Sequence, residues 1–249
     1  MSENQLNKVA AITFAFWVMK ICATTLGETA GDLLSMTLNI GYAASSLILI
    51  AIFLATLIGQ LTAKSYHPLL YWSVILSTST AGTTMSDYID RSLGMGYVAG
   101  SAMLLTLLLI ILAVWRANVG TLSVANVKSL KVESFYWAAI LVSNTLGTAL
   151  GDFLADSSGL GFAGGALLIA SLIVLIVLAY FFTSISRTTL FWIAFVLTRP
   201  LGATVGDLLT KPLEKGGLGF GTIGSSAVLL AVLIVSIVIV SSRKKPAAA

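Results

Sequence analysis

The stretch TTLGETAGDLLS, residues 24–35, closes an apolar run with a glutamate, two glycines and an aspartate. It recurs: TSTAGTTMSDYID begins at Thr78, SNTLGTALGDFLA at Ser143 and TRPLGATVGDLLT at Thr198. Aligned on Asp32, Asp87, Asp152 and Asp207, the copies stand 55, 65 and 55 residues apart. Fifteen residues before each aspartate is a tryptophan, Trp17, Trp72, Trp137 or Trp192, preceded by Phe16, Tyr71, Tyr136 or Phe191. Gly27, Gly82, Gly147 or Gly202 stands five residues before it, and Gly31, Ser86, Gly151 or Gly206 immediately before. A Gly-aromatic pair follows: Gly41-Tyr42, Gly96-Tyr97, Gly161-Phe162 and Gly219-Phe220, nine residues on in three copies and twelve in the last. Self-similarity at a fixed period marks a repeat architecture. The chain therefore reads as four copies of a two-helix hairpin.

Composition says where such hairpins belong. Of 249 residues, 57% are hydrophobic and 10% charged, and the mean hydropathy is +0.99. A soluble domain of this length carries much more polar surface. Apolar runs of about 18 residues or more, enough to cross roughly 30 Å of hydrocarbon, recur throughout, so the expected fold class is an all-α integral membrane protein. MSENQLNKVA, the first ten residues, lacks the basic start, short apolar core and cleavage site of a removable signal peptide. Cys22, the single cysteine, has no partner for an internal disulfide or a thiolate metal site. The net charge of +4 comes from basic residues scattered between apolar runs, which fits membrane orientation and excludes nucleic-acid binding.

Run length predicts eight transmembrane helices, at 9–31, 41–63, 68–89, 96–115, 134–154, 160–182, 189–209 and 219–241. The longest polar connection, 116–134, is the expected seam between two halves of one membrane domain, residues 1–120 and 121–249. Lys8, Lys64, Arg116, Lys128, Lys131, Arg187, Arg243, Lys244 and Lys245 fall on one side; Arg91, Lys211 and Lys215 fall on the other. The first side is cytoplasmic by the positive-inside rule, and so are both termini. Two helices per repeat make all four repeats point the same way, as parallel repeats related by an axis along the membrane normal. The tryptophans then occupy the cytoplasmic aromatic belt. The aspartates lie about 22 Å further out, at 1.5 Å rise per residue. Thr25, Thr80 and Thr145, with Pro200 in the fourth copy, fall near the midplane.

The motif supports two readings. The pairs Gly27/Gly31, Gly82/Ser86, Gly147/Gly151 and Gly202/Gly206 are small-xxx-small pairs, which let membrane helices approach closely, and Gly-Asp at a helix end can be punctuation and cap. That accounts for the glycines better than for the carboxylates. Four aspartates at one level would repel one another unless a cation stood between them, and intramembrane ionisable groups mark ion or substrate paths. Carboxylate, hydroxyl and carbonyl oxygens suit hard cations such as Mg²⁺, Ca²⁺ and Mn²⁺. The expected metal-binding set is Asp32, Asp87, Asp152, Asp207 and Glu28, with Thr25, Thr80 and Thr145 lining the ion path and Thr29, Thr83, Thr84, Thr148 and Thr204 close by. Two further charges break the fourfold pattern. Arg199 replaces Thr24, Ser79 and Asn144 of the other copies, so it either pairs with a carboxylate or guards a cavity. Lys20 either snorkels to the cytoplasm or faces inward on the side of Thr24, Gly27 and Gly31. Asp90, Arg91 and Asp156 read as outer loops or a vestibule, His67 as a loop residue.

KICATTLGETAGDLLS and its Gly-x-x-x-[Gly/Ser]-Asp copies span essentially the whole chain, which resembles a family of uncharacterised bacterial multi-pass "membrane-anchored" proteins. The resemblance implies residence in the bacterial inner membrane and brings no established activity. ETAGDL, residues 28–33, is more loosely similar to the Glu-x-Gly-Asp-Lys motif of small cation exporters. It departs from that motif in placing the glutamate four residues before the aspartate, with no lysine after it.

The leading functional expectation is a secondary transporter of a small cation, divalent in first preference, with Lys20 or Arg199 tuning affinity or coupling to protons. A cation channel of four two-helix repeats is an alternative, although about eight residues between each aspartate and the next helix are too few for a pore helix and filter. A non-transporting scaffold or sensor, or a carrier of a small organic ion, remain as alternatives. No enzyme is expected, because the one histidine lies in a loop and no serine sits in a nucleophile elbow. No cofactor is expected. The expected partners are the lipid bilayer and the cation, and a homodimer is left open.

Overall fold

The computed structural model describes residues 8–124, 127 and 129–242. Among them are eight long α-helices and no strand: α1 Phe14–Asp32, α2 Tyr42–Thr62, α3 Pro68–Asp87, α4 Gly96–Val119, α5 Leu130–Asp152, α6 Gly161–Phe182, α7 Arg187–Thr210 and α8 Thr222–Ser242. Local chemistry sets the boundaries that run length alone misplaced. Thr13 caps α1 by accepting from Phe16 N–H at 3.2 Å, so the helix begins at Phe14. Ser129 accepts from Val132 N–H at 3.3 Å and starts α5 a turn earlier than expected, which brings Glu133 into the helix. A proline at the first helical position opens α3. Lys128, Arg243, Lys244 and Lys245, which enter the expected orientation, lie outside the described residues.

The motif aspartates do not end their helices as caps. In the first three copies the chain continues from the aspartate into one π-helical turn, Leu33–Thr37, Tyr88–Ser92 and Phe153–Ser157, with no capping bond from the aspartate side chain. The fourth copy spends its three additional residues differently. There α7 runs on to Thr210, and a 3₁₀ turn at Leu213–Lys215 precedes the return. In the first three copies the Gly-aromatic pair then opens the next helix from a left-handed glycine, φ +81° at Gly41, +74° at Gly96 and +66° at Gly161; in the fourth, Gly219 at +71° is followed by Gly221 at +72°, directly before α8. A residue with a Cβ is strained there, which accounts for the recurrence of this glycine.

The odd-numbered helices form a closed ring in which α1 packs on α3, α3 on α5, α5 on α7 and α7 on α1. The even-numbered helices lie outside. Each packs not on its own partner but on the next odd helix: α2 on α3, α4 on α5, α6 on α7 and α8 on α1. The expected packed hairpin is thus opened, and the repeats hold one another by exchange around the ring. Six helices, α2 and α4 to α8, are long and apolar enough to cross a membrane. The other two, α1 and α3, are inner helices whose polar residues face the ring. The outer helices display Leu47, Ile58, Leu105, Leu109, Leu167, Leu175, Val228 and Val235.

Side-chain contacts define the two ends of the ring. At one end Phe16 packs on Trp72, Tyr71 on Trp137, Tyr136 on Trp192 and Phe191 on Trp17, with ring centroids 5.8, 5.6, 6.5 and 5.7 Å apart. Trp72, Trp137 and Trp192 are buried. They form an internal aromatic plug and not the surface belt expected from their spacing. The physical reason is that the aromatic before each tryptophan meets the tryptophan of the next helix, so the pair bridges neighbours. The aspartates gather at the other end.

The glycines explain how the ring closes. A Cβ on Gly27 would lie 2.2 Å from Ser79 Oγ, one on Gly82 3.0 Å from Asn144 C, one on Gly147 2.4 Å from Arg199 Cβ and one on Gly202 2.6 Å from Thr24 Oγ1. Every motif glycine therefore faces the next inner helix at the same level. We expect Gly82→Ala to lower stability by about 1–3 kcal/mol through overpacking. Gly224→Ala, where a Cβ meets nothing within 4 Å, should stay within about 1 kcal/mol of the parent. Thermal unfolding of the purified protein checks both, and equal effects at the two positions would contradict the close approach.

Candidate functional site

Residues four apart on each inner helix lie one above another, and here they stack into layers about the ring axis. Counting back from the aspartates, the layers are Asp32/Asp87/Asp152/Asp207, Glu28/Thr83/Thr148/Ala203, Thr24/Ser79/Asn144/Arg199, Lys20/Ile75/Ile140/Phe195 and Phe16/Tyr71/Tyr136/Phe191. All twenty are buried. Four α-helical residues rise about 6 Å, so the axis carries charge at several depths of one narrow interior.

Arg199 is fully buried and occupies the middle of this column. Its guanidinium donates to Glu28 Oε2 at 2.9 Å, to Thr148 Oγ1 at 2.7 Å, to Thr83 Oγ1, and to the Thr24 and Ser79 carbonyls at 3.3 and 3.4 Å. The fourth repeat makes room for it: the next layer on its own helix is Ala203, and the facing residue on α5 is Gly147. One layer below, Lys20 has turned inward and does not snorkel. It is fully buried, with its Nζ 3.4 Å from Asn144 Oδ1 and 4.2 Å from the centre of the Phe195 ring.

The four aspartates do not form an unpaired ring. Lys211 bridges two of them, at 2.6 Å from Asp32 Oδ2 and 3.1 Å from Asp207 Oδ1. Arg91 bridges the other two, at 2.9 Å from Asp87 Oδ1 and 3.0 Å from Asp152 Oδ2, and also meets Asp156 at 3.5 Å. Arg91 and Lys211 each stand four residues after a motif aspartate, in the second and fourth copies. Met36 and Asp156 hold that place in the first and third. The acidic end is therefore twofold and not fourfold. Burial works against charge on Lys211, but Asp207 and Asp32 outweigh it and hold the ammonium above its ordinary range.

The two bridges differ in what lies behind them. Beneath Arg91 the next layer offers Thr83 and Thr148, both bonded to Arg199, and the Arg91 guanidinium lies over the Tyr97 ring, 5.6 Å away. Beneath Lys211 lies Glu28. Carboxylate oxygens of Glu28, Asp32 and Asp207 fall within 4.8 Å of one another, all three residues buried. This is the one group of three metal-ligating side chains so placed among the described residues. A cleft of about 360 Å³, lined by Met36, Thr37, Lys211 and Thr222 among others, reaches one of the three, Asp32.

Of the residues the sequence singles out, Glu28, Asp32 and Asp207 come together, and Arg199 joins them through Glu28. Asp87 and Asp152 lie across the ring under Arg91. Thr25, Thr80 and Thr145 are buried, but each hydroxyl donates back to its own helix, to the Ile21, Leu76 and Leu141 carbonyls at 2.9, 3.2 and 3.0 Å. Arg91, read as outer loop or vestibule, and Lys211, read as an outer-side charge, were not expected as partners of the aspartates; their spacing of four from an aspartate is the signal that places them. Also overlooked is a buried cluster near the aromatic end: Glu133 accepts from Lys8 at 2.7 Å and from Gln60 Nε2 at 3.3 Å.

An all-helical protein of four repeats, closed into a ring with a charged interior, is the class these observations define. The chain belongs to the family described as a repeat of unknown function, DUF347, whose family model matches residues 15–66, 70–121, 135–186 and 190–245. Each match covers one inner helix and the outer helix that follows it. No curated protein matches the chain, and no solved structure does. None of these comparisons shows a likeness to acidic-motif cation exporters.

The Glu28–Arg199 pair yields a stability test. Removing one partner of a buried pair costs about 3–5 kcal/mol, because the other charge is left uncompensated. Glu28→Gln and Arg199→Met should each lower the melting temperature strongly. The double variant should lose less than the sum of the two, with a coupling of about 1 kcal/mol or more. Additive losses in a double-mutant thermal unfolding series would show that the two side chains do not act as a pair.

Proposed function

We propose that the chain is an integral membrane carrier of a small cation, with the cation held by Glu28, Asp32 and Asp207 between α1 and α7. In this reading the repeats run parallel about an axis along the membrane normal, the outer helices face lipid, both termini are cytoplasmic, and the aspartate layer lies toward the outer side. The convergence of three buried carboxylates, one of which, Asp32, lines an open cleft, is the observation that carries the proposal. Oxygen ligands of this kind suit hard divalent ions, Mn²⁺, Mg²⁺ and Ca²⁺ among them. An intramembrane carboxylate group left without such a role would be a standing cost.

Two features favour a carrier over a continuous pore. Each of the five layers is filled by side chains, so ions do not meet an open lumen along the axis. The ring also holds charge of both signs, with Arg199 and Lys20 buried on the axis and Lys211 at the mouth. The motif glycines serve the packing that the small-xxx-small reading assigns them. No catalytic role is proposed for any residue.

The test is uptake of Mn²⁺, Mg²⁺ and Ca²⁺ into proteoliposomes. Losing a charged ligand costs about 1.5–3 kcal/mol, or about tenfold and more in affinity, so Asp32→Asn and Asp207→Asn should reduce uptake at subsaturating ion by that factor. Asp152→Asn, on the Arg91 side, should stay within about threefold of the parent, since Arg91 keeps two carboxylates. Uptake indifferent to Asp32 and Asp207, or none for any of the three ions, would sink the proposal.

A further inference from the structure

Lys211 stands where a transported cation would enter. We propose that its ammonium is a tethered competitor for the site: it bridges Asp32 and Asp207 while the site is empty and swings out when a divalent cation binds. The inference rests on the carrier reading above and adds to it the residue that must yield and the charge of the ion that displaces it.

The geometry carries the argument. The ammonium reaches Asp32 Oδ2 at 2.6 Å, Asp207 Oδ1 at 3.1 Å and Met36 Sδ at 3.7 Å. Asp207 Oδ1 is buried, and the Lys211 ammonium 3.1 Å away is its partner; no other group hydrogen-bonds to it. With the ammonium withdrawn, that oxygen is left in the cluster without another donor. The lysine is also free to leave. Its side chain is 21% exposed at the mouth of the cleft, against 3% for Asp32. Its backbone, by contrast, is held: Lys211 N–H donates to Asp207 O at 2.8 Å, Gly219 N–H donates to Lys211 O at 2.9 Å, and a Cβ on Gly217 would lie 2.0 Å from that same carbonyl oxygen. These contacts belong to the turn built by the three residues peculiar to the fourth repeat. Only the side chain has to move.

Charge selects the ligand. Glu28, Asp32 and Asp207 set three negative charges against the cations of Arg199 and Lys211, so the closed cluster is left one negative. With Lys211 out it is two negative, and a divalent ion restores neutrality. A monovalent ion does not. Arg91 cannot play the same part, because it holds Asp87, Asp152 and Asp156 together and no third carboxylate lies beneath it. The exchange therefore belongs to one side of the ring.

The experiment measures Mn²⁺, Mg²⁺ and Ca²⁺ binding to the purified full-length protein by calorimetry, for the parent and for Lys211→Met, Lys211→Arg and Lys215→Met. A site open only when its competitor has left shows an affinity reduced by the open fraction. Lys211→Met should therefore bind the preferred ion about tenfold tighter or more, whereas Lys211→Arg should not tighten. Lys215→Met, which removes an exposed charge from the same turn, should leave affinity unchanged. A second measurement needs no variant: acetylation of Lys211, read by mass spectrometry, should rise when the bound ion is added. If the parent binds an ion but Lys211→Met binds it no tighter, or if ion binding leaves Lys211 labelling unchanged, the competitor is wrong and the carboxylate site stands. If neither the parent nor Lys211→Met binds any of the three ions, both the competitor and the carboxylate site are wrong.

Discussion

Four inner helices close around one axis because a glycine or serine stands wherever each meets the next. Gly27 on α1 faces Ser79 on α3, Gly82 faces Asn144 on α5, Gly147 faces Arg199 on α7, and Gly202 faces Thr24 back on α1. That cyclic contact brings the backbones together and turns the residues at four-residue spacing onto the axis. The rest depends on it. The aromatic plug, the placement of each outer helix on the following repeat, and the burial of Arg199 all require the inner helices to meet at one common level.

Close approach also leaves the interior too narrow to hydrate its charges, so each must find a partner inside the protein. Arg199 reaches Glu28 and two threonines. Lys211 and Arg91 each clamp two aspartates. The pairing reduces a fourfold repeat to a twofold arrangement, because only the second and fourth copies carry a basic residue one turn beyond the aspartate. It then becomes asymmetric, because only the first copy carries a glutamate one turn before it. Among the described residues, a symmetric scaffold thereby contains a single place with three converging carboxylates, at the edge of an open cleft. The proposed site lies where the repeats differ, while the ring packing lies where they agree.

Much of this was legible in the chain. Spacing relative to Asp32, Asp87, Asp152 and Asp207 revealed the repeats, the helix count and the small-residue faces, because helical periodicity and glycine's missing side chain act locally. Glu28 and Arg199 stood out as departures from the repeat. Other features were misread because they depend on neighbours distant in sequence. The tryptophans read as a surface belt, since a run of residues does not show that Phe16 will meet Trp72 of the next repeat. The aspartates read as an uncompensated ring, since Arg91 and Lys211 looked like loop residues until the helix was carried past the aspartate by a π turn or, in the fourth copy, by a longer α-helix.

By itself the sequence determined an apolar, all-helical chain of four two-helix copies, each bearing one aspartate, one tryptophan and a glycine-thinned face. Those properties follow from composition and from periods of a few residues. Only the tertiary structure decided that each outer helix packs on the next repeat, that the carboxylates divide into two clamped pairs, and that Glu28 sits beneath one of them. These outcomes depend on which helix follows which around the ring. That order is set by the fit of glycine faces against side chains more than fifty residues away, and by the need of every buried charge for a partner.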